Sequence, residues 1–374
     1  MTPLTSPASA PWETLAVCLL LFAAPTVAVL HRPAWWLLGG MAGALAAALA
    51  VNDGPTAYAI AAGGALLHAV HAWRWSRTGA ATLAVAGAAT GASAAALATG
   101  QDVLAFALST FAIALRAGVP PLHGGVASLC ERAPAVQTQQ MSSVIALVFL
   151  HLRYVDHVPA VAAWAPWLVN YGALMCLLAA LMTVVQRDLR GFYRGTTTMH
   201  GGMLLAALGA AVVGNFAAAL LVAVTIGLAL GGLGMMTTAL EERVGPARYA
   251  APGGRAGAFP VLAAAFAVFG GAGVGLPGTA GFVADDLLLH TLWQQSPPAT
   301  AAVIVSSALV AVATLIAYSR VFLGTPVSSV APDLALRERA VAVLLFALLV
   351  GLGVLPEALL QPADVFLSAV PPLA

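Results

Sequence analysis

Among the side chains able to carry charge in or beside long apolar stretches of this sequence are His68, His71, Arg116, His123, His200, Asp285 and Asp286. An ionisable group held in hydrocarbon costs about 2.5–3.5 kcal/mol on insertion scales, so each is a candidate for function. Arg116 closes Phe111-Ala-Ile-Ala-Leu-Arg116, beside Val119-Pro120-Pro121. Prolines there remove backbone hydrogen bonds, which frees carbonyl oxygens and admits water. The bland alternative is a guanidinium snorkelling to the interface from a helix end. His123 follows the prolines, and histidine is the side chain that exchanges protons near neutral pH. It would serve equally well as a simple hydrogen-bond partner for the freed backbone.

Asp285 and Asp286 follow a second interruption, Leu276-Pro277-Gly278. Adjacent residues of a helix point to different faces, so at most one of the two faces an interior path while the other meets solvent or a partner subunit. His200 opens another apolar stretch, in Thr196-Thr-Thr-Met-His200-Gly, and His68 and His71 lie three apart on one helical face. Two histidines make a poor metal site without a third ligand, and none is near in sequence. Gln137-Thr-Gln-Gln140-Met-Ser142-Ser143 is polar for its surroundings; such residues tie helices together by hydrogen bonds or order a chain of waters. The three cysteines, Cys18, Cys130 and Cys176, are widely spaced and read as small apolar packing residues. No nucleotide-binding glycine fingerprint, P-loop or nucleophile elbow is present, so no cofactor is expected.

The elements that must position these groups belong in a membrane. The chain has 374 residues, of which 61% are hydrophobic and 8% charged, with a mean hydropathy of +0.95; a soluble domain has roughly a quarter charged. All 15 positive residues are arginine and the net charge is +1, so no basic stripe exists for nucleic acid. A spanning helix needs about 20 apolar residues. Breaking the sequence at charged and Pro/Gly clusters predicts spans near 13–30, 35–51, 55–73, 80–99, 101–131, 135–153, 162–185, 198–214, 216–240, 259–292, 300–320 and 340–360. The first is read as a retained helix, since Met1 to Pro11 lacks the basic start of a secretion signal. The stretches 101–131 and 259–292 are too long for one plain helix, and each carries a proline break, so both are predicted to be discontinuous.

The arginines support this topology. With the N-terminus outside, the inner loops hold Arg32, Arg74, Arg77, Arg132, Arg187, Arg190, Arg194, Arg243, Arg248, Arg255, Arg320, Arg337 and Arg339. Only Arg153 falls outside and Arg116 within, as the positive-inside rule requires. Val244 to Ala258 is read as the longest polar loop.

The stretch Arg116-Ala-Gly-Val-Pro-Pro-Leu-His123-Gly with Ala133-Pro134 resembles the K-x-G-x-x-P-x-H-G-W … A-P-T signature of the antiporter-like subunits. These are membrane subunits of respiratory complex I and of related cation/proton antiporters, membrane-bound hydrogenases and inorganic-carbon uptake complexes. Val185-Gln-Arg-Asp-Leu-Arg190, Thr196 to Gly202, Glu241-Glu-Arg243, Phe259-Pro260, Leu276-Pro-Gly-Thr-Ala-Gly-Phe-Val283 and Tyr318-Ser-Arg-Val-Phe-Leu-Gly324 follow in the family's order. The similarity spans roughly residues 101–325. It implies an all-α polytopic bundle of about 12 transmembrane helices, with two inverted five-helix repeats at 35–153 and 162–323, each containing one discontinuous helix, and a C-terminal helix at 340–360. It also implies about two further N-terminal helices in the usual members.

Departures from the pattern bear on mechanism. Arg116 replaces the family's lysine before the first break, and arginine keeps its proton. A second lysine is expected near Leu147, an acid within 55–73, and a lysine or histidine between Thr225 and Leu230; none is present. The resemblance therefore implies a proton-translocating or proton-coupling subunit of a multisubunit complex, in a bacterial inner membrane. In it Asp285 and His200 relay protons, Arg116 is a fixed charge and His123 lines the break. Partners would be other membrane and peripheral subunits, the lipid bilayer, and protons or cations, with energy supplied by an oxidoreductase arm or a zinc-dependent hydration subunit. The rival expectation is a structural subunit that anchors partners and conducts nothing.

Overall fold

The computed structural model describes residues 53–156, 158–212, 216–250, 253–326 and 331–368, together with Ala44, Ala47, Ala48 and Val51. The side chains of 134–142, of Pro362 and of 365–368 are outside the description. The expected spans 13–30 and 35–51 thus lie outside the described residues, apart from those four positions.

Within this range the chain is helical, and the only β pairing among the described residues is an isolated bridge between Asp188 and Arg248. The helices are α1 (Gly54–Ala72), α2 (Arg77–Ala98), α3 (Asp102–Ala117), α4 (Gly124–Arg132), α5 (Pro134–Tyr154), α6 (Ala165–Val184), α7 (Leu189–Ala211), α8 (Phe216–Thr225) and α9 (Gly231–Val244). Then follow α10 (Pro260–Ala272), α11 (Ala280–Gln295), α12 (Pro297–Phe322), α13 (Leu336–Val354) and α14 (Glu357–Ser368). A 3-10 turn, Pro159–Trp164, leads into α6, and a π-helical stretch, Ile226–Leu230, joins α8 to α9. Among the described residues, four continuous pieces are long and apolar enough to cross a membrane: Arg77–Ala98, Pro159–Val184, Phe216–Val244 and Pro297–Phe322.

Local chemistry sets the helix starts. Asp53 accepts from Thr56 N at 2.9 Å, Ser76 from Gly79 N at 2.8 Å and Asp188 from Gly191 N at 2.7 Å, each satisfying a donor that the first turn leaves open. Two boundaries differ from the sequence expectation. α7 begins at Leu189 rather than 198, because Asp188 caps it and Arg190 and Arg194 find acidic partners instead of solvent. The expected span 340–360 divides at Leu355-Pro356, where a proline interrupts the helix.

α7 is the axis of the bundle, buried along its length except at Arg190 and Arg194. It packs closely on α6 through glycines on both helices. A Cβ on Gly202 would lie 2.5 Å from Cys176 N, and one on Gly209 would lie 2.8 Å from Leu168 Cβ. Without a hydrophobic drive between helices in lipid, such close backbone approach supplies the contact. At one end of the bundle Arg190 pairs with Glu241 and with the carbonyl of Glu131, Arg194 pairs with the Glu131 carboxylate, and Arg243 meets Glu338 at 2.6 Å. These contacts tie together segments predicted to share the arginine-rich side.

Candidate functional site: two broken helices and the helix between them

The first break lies between α3 and α4. Gly118 closes α3 with φ of 74°, a left-handed conformation that favours glycine, and Val119 N reaches back to Ala114 O at 2.9 Å. Pro120 and Pro121 then offer no N–H, and the helix resumes at Gly124. The second break lies between α10 and α11, where Gly275 and Gly278 have φ of 76° and 85° and Leu276 N returns to Gly271 O at 2.9 Å. Both interruptions therefore fall at the two proline clusters singled out in the sequence, and each leaves the C-terminal carbonyls of a half-helix without their usual helical partners.

α7 touches both breaks through adjacent residues. A Cβ built on Gly201 would overlap the carbonyl oxygen of Ala117, the last residue of α3, and stand 3.0 Å from its carbon. His200, the neighbour, brings Nε2 to 2.6 Å from Gly273 O, the first residue past α10. Its Nδ1 lies 2.8 Å from Thr196 O one turn back in α7. Both ring nitrogens therefore face carbonyl acceptors. A neutral imidazole has one N–H and satisfies only one of them, whereas an imidazolium satisfies both.

The other expected residues are distributed unevenly. Arg116 is buried, 3% exposed, on the last turn of α3, where the negative end of the half-helix favours a cation. Asp285, on α11, is partly buried, and its Oδ2 would lie 2.8 Å from a Cβ at Gly275, so the carboxylate is folded back against the second break. Cys176 of α6 is fully buried. Asp286 is turned outward, with His290 Nδ1 at 3.4 Å, and both side chains are exposed. His123 is exposed at the start of α4. His68 and His71 are buried on α1, which packs on α2 and α5 rather than on α7. The structure thus gathers Arg116, His200 and Asp285 around α7 and its two flanking breaks and leaves the other four elsewhere. Among the described residues, no group of three His, Cys, Asp or Glu is placed to hold a metal. Of the polar run 137–143, only Ser143 has a described side chain, and it is buried.

Sequence reasoning missed a buried polar chain in the first half. Tyr58 OH of α1 lies 2.8 Å from Ser109 Oγ of α3, and Ser109 Oγ lies 3.0 Å from His151 Nδ1 of α5. His151 Nε2 is 3.8 Å from Asp156 Oδ1, just beyond α5. Burial pushes the Asp156 carboxyl up to about 7. The one available signal was spacing: His151 is four residues, one helical turn, past Leu147, where a titratable side chain was expected.

The family described as NADH:quinone oxidoreductase/Mrp antiporter, TM, matches residues 56–311. NADH-quinone oxidoreductase subunit M of Escherichia coli K12 is 26% identical over 258 residues, which is 67% of this chain and 51% of that protein. Subunit N of Rhodococcus opacus is 26% identical over 270 residues, 69% of this chain and 49% of that protein. The chain therefore spans about half the length of the curated relatives it matches. Among solved structures, a chain of respiratory complex I from Thermus thermophilus with bound NADH superposes with a TM-score of 0.82 at 20% identity, covering 96% of this chain and 85% of that one. A chain of the Mrp complex from Dietzia sp. gives 0.78 at 18% identity, covering 96% and 83%.

Proposed function

We propose that this chain, which belongs to the NADH:quinone oxidoreductase/Mrp antiporter transmembrane family, translocates protons or couples to their passage as one subunit of a multisubunit complex in a bacterial cytoplasmic membrane. The observation that carries the proposal is the seating of His200 and Gly201 against the two breaks. A proton arriving on His200 supplies the second N–H, so the ring holds Thr196 O and Gly273 O together. When the proton leaves, one of these bonds is lost, and the change is felt at the second break. Asp285, folded against that break, receives or returns the proton. Arg116 keeps its own proton and acts as a fixed positive charge beside the first break.

The domain reading that accompanies this proposal is two inverted five-helix repeats, 35–153 and 162–323, each contributing one break, followed by a C-terminal helix at 340–360. Asp286 and His290 support the subunit reading. They are exposed on α11, a helix that begins at the second break, so a free-standing bundle would present an acid to lipid at a cost of about 2.5–3.5 kcal/mol. A neighbouring polypeptide covering that face removes the cost. The relatives carry names of NADH-quinone oxidoreductase subunits; for this chain an oxidoreductase arm or a hydration subunit is the proposed energy source.

A second reading, a non-conducting anchor, is favoured by Leu147, which is 2% exposed and apolar where the family pattern has a lysine. Exchanging Asp285→Asn in the purified complex separates the two. If protons pass here, assembly is retained while proton-coupled activity falls at least about tenfold, the scale of a lost proton-transfer group. Unchanged activity in a normally assembled complex leaves only the anchor.

A further inference from the structure

We infer that His151 and Asp156 share one exchangeable proton at the Tyr154 end of α5, forming a proton-loading site for the first half of the bundle. Ser109 and Tyr58 are the hydroxyl pair that adapts to its arrival. The inference rests on the proton-handling reading above and assigns it a second site, distant in sequence from His200 and Asp285.

His151 is fully buried, and the polar chain it belongs to draws on α1, α3 and the segment just past α5. Nδ1 faces Ser109 Oγ at 3.0 Å, and that hydroxyl faces Tyr58 OH at 2.8 Å; in both contacts either atom can donate. With a neutral ring protonated on Nε2, Tyr58 donates to Ser109 and Ser109 to Nδ1. With an imidazolium, Nδ1–H donates to Ser109 and the hydroxyls rotate the other way. The same four groups therefore satisfy both protonation states without moving a heavy atom. Phe106 packs its ring 4.9 Å from the imidazole and Trp164 stands edge-on to Phe106 at 6.2 Å, which walls this side with apolar surface.

Asp156 distinguishes this arrangement from hydrogen-bonded glue between helices. Its Oδ1 is buried with no hydrogen-bond donor within reach among the described residues, and His151 Nε2 stands 3.8 Å from it. That separation is within ion-pair range but beyond a direct hydrogen bond, so a proton crosses by side-chain rotation or through one water. The balance is simple. A proton from the loop side converts the Asp156 carboxylate to the acid; once the hydroxyl pair has turned so that the neutral ring carries its proton on Nδ1, transfer to the free Nε2 restores the carboxylate beside an imidazolium. Burial pushes the carboxyl up to about 7, which permits both forms near neutral pH.

The surrounding charges are few. Arg153 and Tyr154 sit on α5 itself, with the guanidinium 5.1 Å from the Tyr154 ring. From α1 come Tyr58, at the site, and His68 and His71 further along the helix, with Asp53 capping its start; α3 adds Asp102 and Arg116 near its two ends, and α8 brings none. Glu357 and Asp364 of α14 are exposed. Glu241 and Glu242 lie at the far end of α9, where Glu241 pairs with Arg190.

Infrared difference spectroscopy on the purified complex, titrated from roughly pH 5 to roughly pH 9 to bracket histidine chemistry, tests the site. A protonated-carboxyl band should titrate near pH 7, disappear in Asp156→Asn, and move its midpoint in His151→Gln and Tyr58→Phe. Tyr58→Phe preserves shape, so it stands if His151→Gln fails to assemble, and it should lower proton-coupled activity about tenfold. A carboxyl ionised throughout, or one indifferent to both substitutions, overturns the site. If the complex moves no protons at all, the proposed function is lost, while the infrared titration still decides whether the proton resides here.

Discussion

A single added methyl group probes the seating of α7 on the first break. In Gly201→Ala the new carbon overlaps the Ala117 carbonyl oxygen and sits 3.0 Å from its carbon. An ordinary carbon–oxygen contact is about 3.3–3.6 Å, so α7 or the end of α3 must retreat by about 1 Å. The obstacle is backbone at the end of a helix and cannot rotate away as a side chain would. Overpacking of this kind costs about 1–3 kcal/mol, and the helix propensity of alanine over glycine offsets about 1 kcal/mol of it. A net loss of up to about 2 kcal/mol is expected, read as a lowered apparent Tm of the detergent-purified protein. The functional loss should exceed the stability loss, because the displaced helix carries His200 and its 2.6 Å bond to Gly273 O. Gly63→Ala on α1 is the control, since a Cβ there meets nothing within 4 Å. If Gly201→Ala matches Gly63→Ala in both Tm and proton-coupled activity, α7 does not couple the two breaks.

Two further outcomes follow from the ion pairs and from Asp156. Glu241 is largely buried, pairs with Arg190 and accepts from Ala247 N at 3.3 Å, so Glu241→Ala leaves a charge and a backbone donor unmatched and should cost about 3 kcal/mol in thermal unfolding. Arg194→Gln removes a partly exposed pair with Glu131 and should cost less than about 1 kcal/mol; equal costs for the two would contradict the burial argument. Because the Asp156 carboxyl is raised from 3.8 to about 7 in the folded chain, the folded state binds the proton more tightly, so stability falls as pH rises between those values. The full span corresponds to roughly 4 kcal/mol as a ceiling. Asp156→Asn should flatten that slope and melt at or above the wild-type temperature at pH 8; an unchanged slope would show that Asp156 is not the group responsible.

The membrane class, the two discontinuous helices and the divergence of Asp285 and Asp286 were legible because each depends on local sequence. Proline pairs break helices wherever they stand, and neighbouring acids must diverge on a helix. The start of α7 was not legible. Arg190 and Arg194 look like loop residues until Glu131 and Glu241, from distant segments, are brought beside them. His123, whose place after the prolines suggested a lining role, has an exposed side chain at the start of α4.

The two halves differ in how their chemistry is encoded, and this explains why one was visible. Asp285 follows a proline-glycine interruption and His200 sits in the Thr196 to Gly202 motif, so a linear reading finds them. Tyr58, Ser109, His151 and Asp156 are separated by 51, 42 and 5 positions, and each alone is an ordinary residue of an apolar helix or its end. Hydrophobic periodicity offers no help, because a helix enclosed by other helices, such as α7, has no polar face to mark its orientation. Where a lysine is replaced by Leu147, the proton chemistry of the first half need not vanish. A histidine one turn further along the same face, supported by a tyrosine and a serine from neighbouring helices, restores a titratable group at nearly the same place, and only the packing of α1, α3 and α5 reveals it.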